Sequence, residues 1–329
     1  MEGTRSVLVT GGAGYIGSHA ALALLDAGWA VSVVDNLSTG YRQLVPRETR
    51  FHQVDVADSA AMGRVLSEDK PVAVMHFAGS TVIPESVANP LKYYQNNTEA
   101  SRRLIGLCVE HEVEIFIFSS TAAVYGVPRG IPISEDQPTC PISPYGKSKL
   151  MTEWILAEVA RTTGLGYAVL RYFNVAGADL AGRSGQISKA ATHLIKVACE
   201  TATGKRPEMS IFGDDYETPD GTCIRDYIHV GDIVSAHICT LEHMLRKSGN
   251  LILNCGYGRG SSVRQVIDKV SELAGHEISV SIAARRPGDQ AELIAGVERI
   301  KEILGWIPRY DDLDQIIGSA LAWERRGVS

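Results

Sequence analysis

The stretch Ser6-Val-Leu-Val-Thr-Gly-Gly-Ala-Gly-Tyr-Ile-Gly17 decides the fold of this chain. It begins with aliphatic residues typical of a short buried strand and continues through glycines spaced three apart. Gly11 would permit a tight turn, Gly14 would let the backbone approach a pyrophosphate, and Gly17 would let the following helix pack closely on the sheet. The N-terminus of that helix favours negative charge. The stretch therefore predicts a strand, a turn and a helix that bind a dinucleotide.

The ends of the next strands support this interpretation. Asp35 follows Gly17 by 18 residues and ends the second predicted strand. A carboxylate there would bond a ribose 2′-OH and repel a 2′-phosphate, which favours NAD over NADP. Asp55-Val56 could flank the adenine, and Phe77-Ala78-Gly79 would line the path of the pyrophosphate.

β-rich runs alternate with amphipathic stretches through the first half of the chain, as in βαβ units. Several runs are continuously apolar, which is typical of strands covered on both faces of a parallel sheet. The predicted strands are Val7–Thr10, Ala30–Asp35, Phe51–Val54, Val72–Phe77, Glu114–Ser120 and Tyr167–Tyr172, and the predicted helices are Ile16–Ala27, Asn97–Glu112 and Pro144–Thr163.

After about residue 175 this rhythm loosens and loops become longer. We therefore predict an α/β protein with a Rossmann-type doubly wound parallel sheet and a smaller C-terminal α/β substrate domain. Residues 1–175 would form the cofactor domain, with segments near 225–250 as candidates to pack back onto it. Residues 176–329 would form the substrate domain.

Composition excludes several classes of function. The chain has 329 residues, is 45% hydrophobic and carries a net charge of −6, so it lacks the basic footprint of a nucleic-acid or anionic-membrane binder. We find no secretory segment and no long apolar run, and expect a cytoplasmic protein. Six scattered cysteines predict reduced thiols. The cluster His237, Cys239 and His243 offers too few ligands for a metal site, so no metal is expected.

Ser143-Pro-Tyr-Gly-Lys-Ser-Lys149 carries the candidate chemistry. If Pro144 opens a helix, Tyr145 and Lys149 lie one turn apart on the same face. An unperturbed tyrosine titrates near ~10, so a tyrosine base needs its pKa lowered, and a desolvated cation can do that. Thr121 directly follows the fifth predicted strand and could hydrogen-bond the oxygen that Tyr145 deprotonates. Taken alone, each of these patterns also fits a solvated helix face or a turn.

Seven motifs, in order along nearly the whole chain, resemble one family. They are Val9–His19, Val34–Leu37, His76–Gly79, Ser143–Met151, Leu170–Asn174, Asp220–Val230 and Arg285–Asp289. The chain is similar to the extended short-chain dehydrogenase/reductase family, and within it to the UDP-glucose (UDP-galactose) 4-epimerase branch. The resemblance implies that Tyr145 is the base, that Lys149 holds the nicotinamide ribose and lowers the phenol pKa, and that Thr121 is the third catalytic residue.

The resemblance also implies two sets of binding residues. The implied cofactor contacts are Gly11, Gly14, Tyr15, Ile16, Gly17, Asp35, Asn36, Asp55, Val56, Phe77, Ala78, Gly79, Asn96, Tyr145, Lys149 and Tyr172. The implied substrate contacts are Thr121, Tyr145, Asn174, His193, Leu194, Ile211, Phe212, Arg225, Arg286, Asp289 and Leu293. Arginines can clamp a diphosphate and a carboxylate can take ribose hydroxyls.

Two positions depart from the pattern of the family. Ser80-Thr81 stands where many relatives carry Leu-Lys, so one cationic contact is missing. Leu293 is intermediate in size between the tyrosine that excludes N-acetyl sugars and the small residues that admit them. We expect UDP-galactose to be preferred and UDP-N-acetylgalactosamine to react more slowly.

The implied reaction is epimerisation without net redox. The Tyr145 phenolate, assisted by Thr121, would take the 4-OH proton while NAD accepts the C4 hydride, giving a 4-keto sugar that turns over and receives the hydride on its other face. Ala122-Ala123 after Thr121 disfavours a 4,6-dehydratase, which would carry an Asp-Glu pair there. Epimerases for UDP-N-acetylglucosamine or UDP-pentoses stay open, as does a non-catalytic NAD-binding scaffold.

The family resemblance implies a homodimer through a four-helix bundle built from the helices Asn97–Glu112 and Pro144–Thr163 of each subunit. Apolar residues at helical spacing on these helices are the expected contacts, although such stripes more often face their own core. They are Leu104, Leu107 and Cys108 on the first helix and Leu150, Trp154, Ile155 and Val159 on the second.

Overall fold

The computed structural model describes residues 5–188, 191–247, 249–286 and 288–327. The strands within these ranges are β1 (Ser6–Thr10), β2 (Ala30–Val34), β3 (Arg50–His52), β4 (Ala73–His76), β5 (Ile115–Thr121), β6 (Gly166–Tyr172), β7 (Asn174–Ala176), β8 (Met209–Phe212), β9 (Ile224–Arg225), β10 (Tyr227–His229), β11 (Leu251–Cys255), β12 (Ser261–Ser262), β13 (Val280–Ala283) and β14 (Glu292–Leu293). The helices are α1 (Tyr15–Asp26), α2 (Ser59–Asp69), α3 (Ile83–Ala88), α4 (Pro90–Tyr93), α5 (Ala100–Glu110), α6 (Pro144–Ala160), α7 (Leu194–Ala202), α8 (Val230–Arg246), α9 (Val263–Ala274), α10 (Glu298–Leu304) and α11 (Leu313–Arg325).

The central sheet has seven strands in the order β11-β6-β5-β4-β1-β2-β3. The pairs β3–β2, β2–β1, β1–β4 and β4–β5 are parallel. All four residues of β4 are buried, as expected for a strand covered by helices on both faces. This architecture confirms the predicted Rossmann-type α/β fold. The carboxyl ends of parallel strands meet at one edge, where such sheets bind ligands.

The turn from β1 to α1 requires its glycines. Gly11 has φ +71°, and a Cβ on it would lie 2.6 Å from the Ala78 backbone nitrogen. A Cβ on Gly17 would lie 2.2 Å from the Gly11 carbonyl oxygen. Both distances are too short for any side chain, so the first predicted turn and its helix depend on these two glycines.

Two compact units divide the described residues. The first comprises the chain up to Gly126, Pro138–Arg171 and Val234–Leu253. Its core packs strands of the central sheet against α2, α5 and α6, with Leu8, Phe116 and Leu156 fully buried.

The second unit comprises Val127–Gln137, Tyr172–Ile233 and the chain from Asn254. Three small sheets, β7–β10, β12-β9-β14 and β8–β13, lie within it beside α7, α9 and α11. In the parts of the chain described here, no helix has both the length and the apolar character needed to span a membrane.

Two predicted helices have different ends. The helix predicted to begin at Asn97 is part of a longer helical run that begins at Pro90. Asn89 caps α4 at the start of this run, and a π-helical segment over Tyr94–Glu99 joins α4 to α5. The helix predicted to end at Thr163 ends at Ala160, and beyond it the Val159 carbonyl accepts from the Thr162 nitrogen, the Thr163 nitrogen and the Thr163 hydroxyl. Threonine side chains compete with helical hydrogen bonds in this way.

The apolar stripe expected at a dimer interface faces the core instead. Leu104 and Cys108 on α5 are fully buried in the core of the first unit, and Leu150 on α6 is 3% exposed. Trp154 is different, because 57% of its surface is exposed. The interpretation of Leu104, Cys108 and Leu150 as interface residues is therefore wrong, since their own unit already covers them.

Candidate active site

Helix α6 places Tyr145 in its first turn. Ser143 caps the helix, and its hydroxyl accepts a hydrogen bond from the Gly146 nitrogen at 3.1 Å while Pro144 occupies the first helical position. The Tyr145 side chain is hydrogen-bonded to Thr121, the last residue of β5. The structure thus brings the predicted base and its predicted hydroxyl partner together.

Lys149 follows one turn later and is 3% exposed. Its Nζ donates to the Ser119 carbonyl oxygen at 3.0 Å and lies 4.9 Å from the centroid of the Phe118 ring. Burial lowers the pKa of Lys149 to about 8, and the charge of Glu153 opposes that lowering. The ammonium is therefore held at the carboxyl end of β5, the strand that carries Thr121.

The phenol of Tyr145 does not have the lowered pKa that the sequence led us to expect. Burial raises the pKa of Tyr145, and the hydrogen bond with Thr121 opposes this without reversing it. The expectation is wrong for the chain alone, because desolvation of the phenolate outweighs the stabilisation that Thr121 offers.

A buried ion pair supports this end of the sheet. Arg171 Nη2 lies 2.6 Å from Glu153 Oε2, and both side chains are nearly inaccessible. The Ser120 hydroxyl donates to Glu153 Oε1 at 2.5 Å, and Arg171 Nη1 donates to the Tyr125 hydroxyl at 3.0 Å. Sequence reasoning missed this pair. The available signal was Glu153 itself, a charged residue four positions after Lys149 on the same helix face.

Asn97 lies in the π-helical segment and is 1% exposed. Its amide donates to the Ser80 carbonyl at 2.9 Å and to the Ser148 hydroxyl at 3.0 Å, and its Oδ1 accepts from the Ser80 nitrogen at 2.7 Å. A Cβ on Gly79 would lie 3.0 Å from Asn97 Oδ1 and 3.5 Å from Lys149 Nζ. Asn97 therefore joins the loop after β4, through Ser80, to helix α6, through Ser148.

Its neighbour Asn96 is the residue that the resemblance implied. Asn96 Nδ2 donates to the Ser80 hydroxyl at 2.9 Å, so this predicted cofactor contact holds the same loop from outside. Asn97 was missed. Two consecutive asparagines at the predicted start of a helix were the available signal, because asparagine side chains tend to hydrogen-bond nearby backbone groups.

Asp35 lies just beyond the end of β2 and is 8% exposed. Its Oδ2 accepts from the Ala13 nitrogen at 3.0 Å and its Oδ1 from the Leu37 nitrogen at 2.8 Å. Burial raises the pKa of Asp35 and these two hydrogen bonds oppose it. Asp35 therefore supports the glycine loop directly, and each carboxylate oxygen keeps a second lone pair for a ligand hydroxyl.

The remaining predicted cofactor residues of the first unit surround this loop. Gly14 is the N-cap of α1, and Tyr15 and Ile16 are its first two residues, with no acidic side chain in the first turn. Asn36 Nδ2 donates to Asp55 Oδ2 at 2.8 Å. Val56 is buried. The centroid of the Phe77 ring lies 4.9 Å from that of the His237 ring, and the backbone of Ala78 lies against Gly11.

In the second unit the predicted substrate residues form small groups. Leu293 on β14 pairs with Arg225 on β9, and Arg225 Nη2 lies 3.9 Å from Asp289 Oδ1. The Arg286 guanidinium lies 3.7 Å from the centre of the Phe212 ring. Pro287, inside the predicted motif Arg285–Asp289, lies outside the described residues.

Other predicted residues of this unit line a separate cavity or the interior. Asn174, His193 and Leu194 line one cavity together with Trp323. Ile211 on β8 is 4% exposed, and its contact with the substrate stays a prediction. Tyr172, the last residue of β6, is 6% exposed.

Asp226 separates β9 from β10 and is fully buried. Its carboxylate accepts from the backbone nitrogens of Tyr257, Gly258 and Ala295 at 2.9, 2.9 and 3.2 Å. Burial raises the pKa of Asp226 to about 6, although these backbone donors oppose it. Sequence reasoning quoted the motif that contains Asp226 without assigning the residue a role.

Comparison with known proteins shows the family. The sequence matches the NAD dependent epimerase/dehydratase family over residues 7–256. The chain belongs to this family. This membership confirms the resemblance inferred from the seven motifs.

Relatives of this epimerase/dehydratase chain match over nearly its whole length. A UDP-glucose 4-epimerase of Azospirillum brasilense is 54% identical over 97% of this chain and 92% of its own. The crystal structure of UDP-glucose 4-epimerase from Brucella ovis in complex with NAD has a TM-score of 0.94 and 45% identity, covering 97% of this chain and 98% of its own. The UDP-Glc/GlcNAc 4-epimerase of Campylobacter jejuni has a TM-score of 0.86 and 44% identity, covering 98% and 99%.

The geometry of this epimerase/dehydratase chain fits a dinucleotide. Gly14 gives α1 an N-terminus without a side chain at the cap, and such a helix end stabilises a pyrophosphate. Asp35 holds the glycine loop with a carboxylate that retains accepting capacity for a ribose hydroxyl. Lys149 places an amine at the carboxyl end of β5, the edge at which such sheets bind ligands.

Proposed function

We propose that the protein is an NAD-dependent UDP-glucose 4-epimerase, which interconverts UDP-glucose and UDP-galactose through a transient 4-keto sugar without net redox. The observation that carries this proposal is the hydrogen-bonded pair of Tyr145 and Thr121 with Lys149 one turn away. The pair lies in a chain that is similar over nearly its whole length to UDP-glucose 4-epimerases.

Tyr145 acts as the general base for the sugar 4-OH and later returns the proton. Thr121 holds the reacting oxygen in line with the phenol, since its side chain already hydrogen-bonds Tyr145. Lys149 stabilises the phenolate and binds a ribose hydroxyl, for which its buried ammonium is well suited. Bound NAD supplies reversible hydride acceptance at C4 of the sugar.

The cofactor is held by residues of the first unit, and the nucleotide of the substrate by residues of the second. The glycine loop, α1 and Asp35 hold the dinucleotide, with Asn96 and Asn97 fixing the loop after β4. Arg225 and Arg286 bind the diphosphate, and Asp289 takes the uridine ribose. The proposed cofactor domain, 1–175, and substrate domain, 176–329, differ from the two units in three segments, because Val127–Gln137 and residues 172–175 belong to the second unit and Val234–Leu253 to the first.

The wild-type protein provides the direct test. Purified protein should convert UDP-galactose into UDP-glucose without added cofactor, and heat denaturation should release NAD(H) into the supernatant. The protein is expected to retain its cofactor because, if the reduced cofactor were lost during the cycle, the 4-keto sugar could not receive its hydride back. A protein that arrives empty and whose activity requires NADP would contradict the proposal.

The same assay with UDP-N-acetylgalactosamine measures the breadth of the substrate. Leu293 lies beside Arg225 in the sheet of β9 and β14, which places a side chain of intermediate size next to a proposed diphosphate ligand. We expect measurable turnover of the N-acetyl sugar, slower than that of UDP-galactose, because a pocket change of methylene size is worth only ~1–3 kcal/mol. A larger rate with the N-acetyl sugar would favour the UDP-N-acetylglucosamine epimerase instead, an activity that the similarity to the Campylobacter jejuni enzyme also supports.

We further propose a homodimer in the cytoplasm. Trp154 on α6 is 57% exposed, and Val87 and Leu91 of α3 and α4 are 65% and 77% exposed, so the first unit presents large apolar side chains on helices in contact with α6. The six cysteines are free thiols, which suits a reducing compartment.

Light scattering should give twice the 35.5 kDa of the chain, and Trp154→Lys should shift the mass toward the monomer. A wild-type mass near 35.5 kDa at micromolar concentration would reject the dimer.

A further inference from the structure

We propose that Asp226 is a positioning residue for substrate binding: it fixes the backbone that carries Arg225, Asn174 and Leu293 without touching the substrate. The inference rests on the proposed function, because it concerns residues that bind UDP-sugar there. Asp226 itself is fully buried, so a ligand at the surface cannot contact its side chain.

The backbone of Asp226 joins two of the small sheets. Its nitrogen donates to the Leu293 carbonyl at 3.0 Å, and its carbonyl accepts from the Asn174 nitrogen at 2.9 Å. On its N-terminal side Arg225 pairs with Leu293 in β9–β14, and on its C-terminal side Tyr227 pairs with Asn174 in β10–β7. Three proposed substrate residues are therefore linked directly to this single position.

The carboxylate of Asp226 fixes that position against two further segments. It accepts from Tyr257 and Gly258, and from Ala295, which lies two residues beyond Leu293. A Cβ on Gly256 would lie 2.6 Å from Asp226 Oδ2, so the turn that presents the donors closes tightly on the carboxylate. No amide or hydroxyl of equal size accepts from all three nitrogens, because only a carboxylate has two oxygens without hydrogens.

Asp232 offers a matched control in the same unit. It is also fully buried and also accepts three hydrogen bonds, from the Tyr257 hydroxyl at 2.6 Å and from the nitrogens of Arg309 and Tyr310 at 2.8 Å. Arg309 and Tyr310 belong to the segment before α11, whereas Tyr257 follows β11 and bonds Asp232 through its hydroxyl and Asp226 through its backbone nitrogen. Loss of the Asp232 carboxylate should lower stability as much as loss of Asp226, while all three backbone donors of Asp226 keep their acceptor.

The experiment compares Asp226→Asn with Asp232→Asn, using UDP as the probe in calorimetric titration and UDP-galactose in kinetics. Asp226→Asn should raise the Kd for UDP and the KM for UDP-galactose about tenfold, the scale of one lost charge-assisted hydrogen bond. Its kcat should stay within about twofold, since uniform binding is lost rather than chemistry. Asp232→Asn should bind UDP like the wild type even if its Tm falls equally.

Gly256→Ala gives a second approach if Asp226→Asn does not fold. Its added methyl group displaces the Asp226 carboxylate while keeping the charge, so UDP binding should weaken in the same direction. Equal Kd values for wild type and the Asp226 variant would overturn the positioning role, as would equal weakening by Asp232→Asn. A wild-type protein that fails to bind UDP would reject the proposed function itself, which separates the two failures.

Discussion

The Tyr145→Phe protein is expected to interconvert UDP-glucose and UDP-galactose at least ~10²-fold more slowly than the wild type, the scale of a lost general base. Phenylalanine keeps the ring but removes the hydroxyl that bonds Thr121. The 4-OH proton then has no acceptor at the start of α6. UDP binding should persist, because the proposed nucleotide contacts belong to other residues.

Tyr93→Phe is the matched control. The ring of Tyr93 lies 6.4 Å from that of Tyr145 in an edge-on arrangement, and its hydroxyl donates to the Val82 carbonyl at 2.6 Å. The control removes a neighbouring phenol with no proposed role in proton transfer, so its kcat should stay within about threefold of the wild type, as for a lost structural hydrogen bond. Near-normal turnover by Tyr145→Phe, measured in single-turnover as well as steady-state assays, would reject the mechanism.

The state of the Tyr145 proton adds a pH dependence to this prediction. Burial raises the pKa of the phenol in the chain alone, and burial lowers the pKa of Lys149 to about 8. The phenol therefore gains its negative form as pH rises, whereas Lys149 keeps its positive charge only below about 8. Because the productive state needs the phenolate together with the Lys149 ammonium, the wild-type rate should rise with pH from the acid side, and this rising limb should be absent from the residual activity of Tyr145→Phe.

Continuous apolar runs predicted the strands of the parallel sheet. The spacing of Gly11 and Gly17 predicted the turn that leads into the first helix. Both features are local in the chain. Tyr145 and Lys149 were found for the same reason, since four residues make about one helical turn. The placement of Thr121 against Tyr145 needed one further assumption, that strand ends of a parallel sheet meet at one edge.

Features that depend on burial were not predictable in this way. The direction of the Tyr145 pKa depends on desolvation, which no spacing reveals. Leu104 and Cys108 have the spacing of an interface stripe, yet the strands beside them already cover that face. The π-helical segment that aims Asn97 at Ser80 depends on an insertion into the helical hydrogen-bond pattern, which propensity alone does not locate.

The second large effect concerns the ion pair of Glu153 and Arg171. Glu153→Leu should lower the free energy of unfolding by ~3–5 kcal/mol, the usual cost of leaving one member of a buried pair uncompensated. Arg171 would retain the Tyr125 hydroxyl at 3.0 Å as a hydrogen-bond partner, which cannot neutralise a guanidinium that is 4% exposed. Urea unfolding of the holoenzyme measures the loss.

A double variant separates the pair from its surroundings. Glu153→Leu with Arg171→Met replaces both charges by apolar groups of similar volume, and it should be more stable than Glu153→Leu alone because no unpaired charge remains. Its activity should stay low even so, since Ser120 loses its acceptor and lies between Ser119, which binds Lys149, and Thr121, which binds Tyr145. If the destabilisation of the double variant equals the sum of the two single losses, the charges do not act as a pair and the support of β5 must come from packing alone.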